Sequence, residues 1–347
     1  MKTYIVILNY NGWSDTQECL ESILKLDYSN YQIIVVDNHS TNQSMDHLLA
    51  WANGRETATV DNPALVYLST PATNKPLDFL LYNTPVTLQS ELLEQESRLY
   101  NPLVFIQSLT NGGFAAGNNI GIDYAIAKGD ADYIWFLNND TVILPSSLTD
   151  LVNQACFYQK KQRKVGIIGS KLLYYHKPTF LQGVGGVYNK WLATSRHIGV
   201  FEEDLGQYDT EDVVSKIDYL PGCSLFVCMD FINDVGLMCE SYFLYFEELD
   251  WALRGKHKGW CLGYCWQAKV YHKEGASIGS SAKGLNKSKL SDFYELRNRI
   301  RFTKKNFPEK IGFVRLGFLV VLFNRLRRKQ FDRLGLVFRA FMGCDRP

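Results

Sequence analysis

The chain has 347 residues, of which 46% are hydrophobic and 21% charged, with a formal net charge of +1. Those fractions belong to an ordinary globular protein, and the length suits one large domain or two modest ones. They exclude a disordered chain, and a net charge near zero offers no general basis for binding nucleic acid.

Eight cysteines are scattered along the sequence. Cys261 and Cys265 lack the second pair that a zinc site needs, so the thiols are expected to be reduced and mostly buried, as in a cytoplasmic protein. Met1-Lys2-Thr3 leads straight into a strand pattern, so no signal peptide is expected.

Tyr4-Ile5-Val6-Ile7-Leu8 reads as a fully apolar first strand, with Asn9-Tyr10-Asn11-Gly12 as its turn. A helix follows, with apolar Cys19, Leu20, Ile23 and Leu24 at helical spacing and Ser14 or Asp15 as its expected cap. Gln32-Ile33-Ile34-Val35-Val36 is a second strand ending in Asp37, and strand, helix, strand within forty residues predicts a parallel crossover. Met45–Trp51 reads as another helix. From 54 to 101 the period lapses among polar residues and prolines, which predicts an insertion or lid outside the core.

Leu103-Val104-Phe105-Ile106 restores a strand, and the glycine- and amide-rich Asn111–Asn119 opens a helix to about Lys128. Tyr133-Ile134-Trp135-Phe136-Leu137 is a core strand that ends in Asn138-Asn139-Asp140. In an open α/β sheet, ligands bind beyond such carboxyl ends. A helix from Pro145 and Ser146, a short strand at Val165–Gly169 and strand-rich, mixed structure follow. Tyr242–Phe246 then leads into Glu247-Glu248-Leu249-Asp250, and Ala268–Tyr271 delivers His272.

Each of these polar clusters admits a chemical and a structural reading. Asn111–Asn119 matches neither a P-loop nor the dinucleotide fingerprint, so it either presents backbone N–H groups to an anion or makes a tight packing turn. Asp37 can accept a hydrogen bond from a nucleobase or cap the next helix. Asp140 alone suffices as the acidic anchor of a Mg²⁺ or Mn²⁺ ion that also binds phosphate, with Asn138 and Asn139 orienting and His272 completing the coordination or bonding a phosphate. Glu247, Glu248 and Asp250 can supply a base for an acceptor hydroxyl, or they can be acids that suit a helix N-terminus, and both can hold together.

Seven segments occur together in one order: Val6–Gly12, Val35–Ser40, Asn111–Asn119, Leu137–Thr141, Pro221–Ser224, Phe243–Asp250 and Val270–Lys273. In them the chain resembles the family 2 glycosyltransferases of the rhamnosyltransferase-like branch over roughly residues 1–300. The resemblance implies a GT-A nucleotide-diphospho-sugar transferase fold, α/β with a Rossmann-like, mostly parallel sheet, over residues 1–285. It implies inverting transfer from a nucleotide-diphosphate sugar (dTDP-rhamnose first, UDP-sugars next) to a saccharide or lipid-linked acceptor. Donor-binding positions would be Asn9, Asn11, Asp37, Asn111, Gly113, Asn118, Asn138 and Asn139. Metal ligands would be Asp140 and His272. Glu248 would be the base, with Glu247 and Asp250 beside it. Asn138 stands where the family's metal motif begins with an acid, and Glu248 stands where many relatives carry Asp. Two rival readings share such a fold: a non-catalytic nucleotide-sugar or glycan-binding module, and a nucleotidyltransferase. The crowded acids speak against the first, and the uncharged Asn9-Tyr10-Asn11-Gly12 turn speaks against the second.

The last residues, 286–347, read as a basic, amphipathic helical tail. From Arg297 onward there are fourteen Lys or Arg against three acids, an excess of eleven. The apolar run Phe313–Phe323 is too short to span a bilayer. Apolar and basic together predict an interfacial helix on an anionic membrane, at the inner face of the cell membrane, unless the tail packs on the main domain or on a second copy of the chain.

Overall fold

The computed structural model describes residues 1–83, 90–273 and 288–347. In chain order the first half contains β1 (Thr3–Asn9), α1 (Trp13–Ile23), β2 (Tyr31–Asp37), α2 (Ser44–Ala52), α3 (Val66–Ser69), β3 (Phe79–Tyr82), α4 (Ser90–Ser97), β4 (Leu103–Gln107), α5 (Gly113–Lys128), β5 (Tyr133–Asn138), β6 (Thr141–Ile143) and α6 (Ser147–Lys160). There follow β7 (Val165–Tyr174), β8 (Lys177–Gly183), β9 (Gly186–Asn189), β10 (Thr194–His197), β11 (Ser224–Cys228), α7 (Met229–Val235), α8 (Glu247–His257) and β12 (Cys261–His272). Three helices close the chain: α9 (Lys289–Asn306), α10 (Ile311–Arg327) and α11 (Leu334–Met342).

One sheet runs in the order β3-β4-β2-β1-β5-β11-β7-β12-β6, with β8 added to β7. Its first five strands are mutually parallel, and β11 is antiparallel to both of its neighbours. β1 is apolar on both faces because both faces are covered, as parallel sheets require. Tyr4 and Val6 pack on one side with Ile122 and Ala125 of α5. Ile5 and Ile7 pack on the other with Leu20, Ile23, Leu48, Trp51 and Leu151 from α1, α2 and α6. The result is a three-layer helix–sheet–helix sandwich.

Register sets the site. β1 and β2 pair so that Asn9 faces Asp37, and β1 and β5 pair so that Leu8 faces Asn138. The three strands therefore end together, each with a polar residue at the same edge. β12 pairs antiparallel with β6, placing His272 opposite Thr141 and next to Asp140.

Three expectations are corrected. The described part of 54–101 does not lie outside the core: β3 extends the sheet parallel to β4, and Leu65, Leu68, Leu80 and Tyr82 are buried. Four residues, Phe79-Leu80-Leu81-Tyr82, are too few to show a period among prolines and polar neighbours, and only pairing with β4 reveals them as a strand. Neither Ser14 nor Asp15 caps α1. Gly12 occupies that position without a side-chain bond, and Asp15 accepts a hydrogen bond from Lys273 Nζ at 2.6 Å. Nor is the tail uniformly surface-lying: α9 buries Phe293, Leu296, Asn298, Ile300 and Phe302, and Phe243 and Leu244 pack against its cluster. The boundary expected at 285/286 lies outside the described residues.

Candidate active site

Two clefts flank the sheet edge. The first, of about 440 Å³, is lined by Tyr10, Asn38, Asn111, Gly113, Asn138, Asn139 and Asp140, with Phe114, Phe243 and Leu244 as apolar walls. The second, of about 560 Å³, has Glu248, His272, Cys223, Gly222, Tyr219 and Arg299 among its lining. Between them stand Asp140 and His272, with Asp140 Oδ1 3.1 Å from His272 Nε2.

The pair is strongly coupled. Burial is the largest single influence on His272 and opposes its charge, but the Asp140 carboxylate and Cys223 together outweigh it and raise the imidazolium well above its usual range. Burial likewise opposes charge on Asp140, and His272 together with Lys273 holds that carboxyl below its usual range. On the far side of the ring, His272 Nδ1–H donates to Gln182 Oε1 at 2.8 Å. That bond fixes the tautomer, so a neutral His272 turns the lone pair of Nε2 toward Asp140.

The residues expected to bind a donor divide into three groups. Asn111, Gly113, Asn138 and Asn139 line the first cleft with Asp140. Asn9, Asn11 and Asp37 form the network behind it. The Asp37 carboxylate accepts from Asn9 Nδ2 at 2.6 Å, Gln107 Nε2 at 2.7 Å, Ser40 N at 3.0 Å and Ser40 Oγ. Asn11 Oδ1 accepts from Thr41 N at 2.8 Å, tying the β1 and β2 turns together. Asn118 turns its amide back onto Phe114 O of its own helix at 2.9 Å and lines neither cleft.

The acids of α8 also separate. Glu248 alone of the three lines a cleft. Asp250 is fully buried, bonded by Tyr242 OH at 3.0 Å, Arg254 Nε at 2.8 Å and Lys305 Nζ at 2.7 Å. Glu247 is buried, and burial together with the neighbouring Glu248 carboxylate raises its pKa well above the usual range. Burial pushes Glu248 up to about 7, and its Oε2 has no hydrogen-bond partner among the described residues.

The loop that aims Glu248 is unusual in its backbone. Phe243, Tyr245 and Phe246 all have positive φ, at 65°, 68° and 76°. Such a run of bulky residues in the left-handed region persists only where the surroundings impose it. Two supports do so. The Phe114 amide at the start of α5 donates to Phe243 O at 2.7 Å, and a Cβ on Gly113 would lie 2.1 Å from that same oxygen. Gly113, with φ +88°, is therefore required by the approach of two backbones. From α9, Asn298 Nδ2 donates to Tyr242 O, Leu244 O and Tyr245 O at 3.0, 2.8 and 2.9 Å, and Arg297 donates to Ser241 O and Tyr242 O. Sequence reasoning missed Asn298, Arg297, Gln182, Tyr10 and Asn38, because a polar residue in a helix, strand or turn carries no local sign of a distant carbonyl or cleft.

The fold finds a counterpart among known proteins. The crystal structure of GalNAc-T7 with UDP, GalNAc and Mn²⁺ superposes with a TM-score of 0.52 at 15% identity, covering 88% of this chain and 48% of that one. The fold is that of the GT-A glycosyltransferases. Residues 4–65 match the family model Glycosyl transferase family 2. The low-salt glycan biosynthesis hexosyltransferase Agl10 of Haloferax volcanii is 21% identical over 225 residues, which is 64% of this chain and 67% of that protein. The chain spans about half the length of the GalNAc-T7 chain.

Within this GT-A fold, Asp140 and His272 are the two groups suited to a divalent cation. Among the described residues no cluster of three or more acidic, histidine or cysteine side chains could hold a metal. Two protein ligands fit Mg²⁺ or Mn²⁺ where phosphate oxygens and water complete the shell, and they do not fit a closed structural zinc site.

Proposed function

We propose that this chain is an inverting glycosyltransferase that moves a sugar from a nucleotide-diphosphate donor to a hydroxyl of a saccharide acceptor. The observation that carries the reading is the placing of the Asp140–His272 pair between a cleft lined by Asp140 and a cleft lined by Glu248. The family 2 match over residues 4–65 and the hexosyltransferase relative support the activity class.

In this reading the donor occupies the first cleft. Asn111, Asn138 and Asn139 offer amides to its polar groups, and Asp37 holds the shape of the turns behind it rather than spending its filled lone pairs on the base. Asp140 and His272 would hold Mg²⁺ or Mn²⁺, which when bound offsets charge on the leaving diphosphate. The acceptor enters the second cleft. Its hydroxyl gives its proton to the Glu248 carboxylate and its oxygen attacks the anomeric carbon. The bond from that carbon to the diphosphate breaks, the diphosphate leaves with the electron pair, and one displacement inverts the centre. Glu248 suits the task because its unpartnered oxygen and its pKa of about 7 make it a base near neutral pH. A binding module has no use for such a carboxylate.

The donor classes to test are dTDP-rhamnose, from the motif likeness, and UDP-hexoses, from the hexosyltransferase relative. The deciding experiment supplies each radiolabelled sugar nucleotide with saccharide acceptors and analyses the product. Sugar joined to acceptor supports transfer, released pyrophosphate turns the reading to nucleotidyl chemistry, and binding without product makes the chain a module.

The tail supports a peripheral place on a membrane. No helix among the described residues is long and apolar enough to cross one. On α10, Leu316, Leu319, Val320 and Phe323 are 61–64% exposed on one stripe, while Val314 and Phe318 face inward. Arg315, Arg327, Arg328 and Lys329 lie on or just beyond the same helix, the mix that suits an anionic lipid surface.

A further inference from the structure

We infer that Gly222 sizes the passage between the two clefts and so selects the accepting group, a secondary hydroxyl carried on a sugar ring. The inference rests on the transfer reading above and names the class of hydroxyl that Glu248 serves.

Pro221-Gly222-Cys223-Ser224 leads into β11, and its backbone is pinned. Cys223 O accepts from Asn138 N at 3.0 Å, and Ser224 Oγ accepts from Trp135 Nε1 at 3.0 Å. Pro221 and Cys223 are buried, while Gly222 between them is half-buried and lines the second cleft. Neither usual demand for a glycine applies at this position. Its φ lies outside the left-handed region. Nor does a second backbone press on it as Phe243 presses on Gly113. The nearest neighbours of a Cβ at Gly222 would be side-chain ends: Phe114 Cζ at 3.3 Å, Phe114 Cε1 at 3.4 Å and Glu248 Oε1 at 3.9 Å.

Those two side chains belong to different clefts. Phe114 walls the first and Glu248 lines the second. Gly222 therefore stands at their junction, where a sugar crossing from donor to acceptor meets the base. A hydroxyl that gives its proton to Glu248 brings its oxygen to about 2.6–3.2 Å from the carboxylate. The carbon behind that oxygen, with its substituents, must then fit against Gly222. A primary hydroxyl sits on a slim CH₂ arm. A secondary ring hydroxyl sits on a carbon with two ring neighbours and needs room on both sides. An alanine methyl would fill one of those sides and still leave space for water. A missing side chain that neither the backbone nor the packing requires is thus the opening that a bulkier hydroxyl needs.

The test is Gly222→Ala, with thermal unfolding as the check on folding. The Phe114 ring borders the first cleft, of about 440 Å³, and can yield to the new methyl. Radiolabelled UDP-glucose and dTDP-rhamnose are supplied with methyl glucoside and methyl mannoside, and sugar joined to the glycoside is counted against sugar released to water. In release, water gives its proton to Glu248, its oxygen bonds the anomeric carbon and the diphosphate leaves with the electron pair. Wild-type product should be linked through a ring hydroxyl and not through C6. In Gly222→Ala the ratio of transfer to release should fall about 10–200-fold, the range by which one methylene discriminates in a pocket. Adding Phe114→Leu removes the 3.3 Å contact, and the ratio should stay low. An unchanged ratio, or one restored by Phe114→Leu, overturns Gly222 as the residue that sizes the passage. A double variant that does not fold contradicts the open space and overturns it as well, and C6-linked product overturns the class of hydroxyl. The two readings fail in different ways. A wild type that neither transfers nor releases sugar sinks the activity and this assignment with it, whereas transfer with the same ratio in wild type and variant sinks only the role of Gly222.

Discussion

The side-chain amide of Asn298 donates to the carbonyl oxygen of Tyr245 at 2.9 Å, joining α9 to the turn three residues ahead of Glu248. The same amide reaches Tyr242 O and Leu244 O, so one buried side chain holds three carbonyls of a loop with three positive-φ aromatic residues. The first helix of the tail is thus a support of the site. Asn298→Ala should remove this amide from Leu244 O and Tyr245 O, while Arg297 still donates to Tyr242 O, and lower stability by about 1–3 kcal/mol. It should reduce kcat more than it raises the Kd for donor. Equal loss in a variant far from the loop, or unchanged kcat, would show that α9 does not position Glu248.

Glu248→Gln should lower kcat by about 10²–10⁴-fold while donor affinity stays near wild type. The wild-type rate should fall as pH drops through about 7, as the carboxylate gains its proton, and the residual rate of the variant should lack that limb. Stability has the opposite sign. Because folding raises this carboxyl's pKa above 4.5, its ionisation destabilises the fold as pH rises from 4.5 through about 7. At pH 8 the variant should therefore be more stable than wild type, by on the order of 1–2 kcal/mol, and the difference should vanish at pH 4.

Gly113→Ala should disturb the fold and the site together. A Cβ there meets Phe243 O at 2.1 Å, on a backbone with φ +88°. A loss of at least about 2 kcal/mol is expected, with a fall in kcat as the Phe243–Phe246 turn shifts. Chemical denaturation and steady-state rates check both, and a fully active, fully stable Gly113→Ala protein would count against the backbone contact.

Asp140→Asn should abolish most of the gain in donor affinity that Mg²⁺ or Mn²⁺ confers, because the first cleft loses its acidic ligand. Calorimetry of donor with and without metal measures this directly. The same enhancement in both proteins would place the cation elsewhere.

Leu319→Ser with Phe323→Ser should barely change thermal stability, since both side chains are more than 60% exposed. Co-sedimentation with phosphatidylglycerol vesicles should drop about tenfold or more, and wild-type binding should weaken with salt. Equal partition of wild type and variant, or dimer dissociation in place of lipid release, would make this face a protein contact.

Much of this molecule was legible along the chain because burial leaves a linear record. Apolar runs at Tyr4–Leu8, Ile33–Val36 and Tyr133–Leu137 are covered on both faces, and their polar ends mark where cover stops. That record gave the parallel sheet, the edge that the two clefts flank and the candidates Asp140, Glu248 and His272. It could not separate Glu248 from Glu247 and Asp250, because α8 turns successive side chains about 100° apart and only neighbouring elements decide which one meets a cleft. Nor could it show that Asp37 is filled by Asn9, Gln107 and Ser40, that Phe79–Tyr82 completes the sheet, or that Asn298 holds the Glu248 loop. Apart from the Ser40 bond, those relationships join residues 24 to 70 positions apart. Hydrogen bonds and strand register at that separation leave no local period, so only the tertiary structure fixes them.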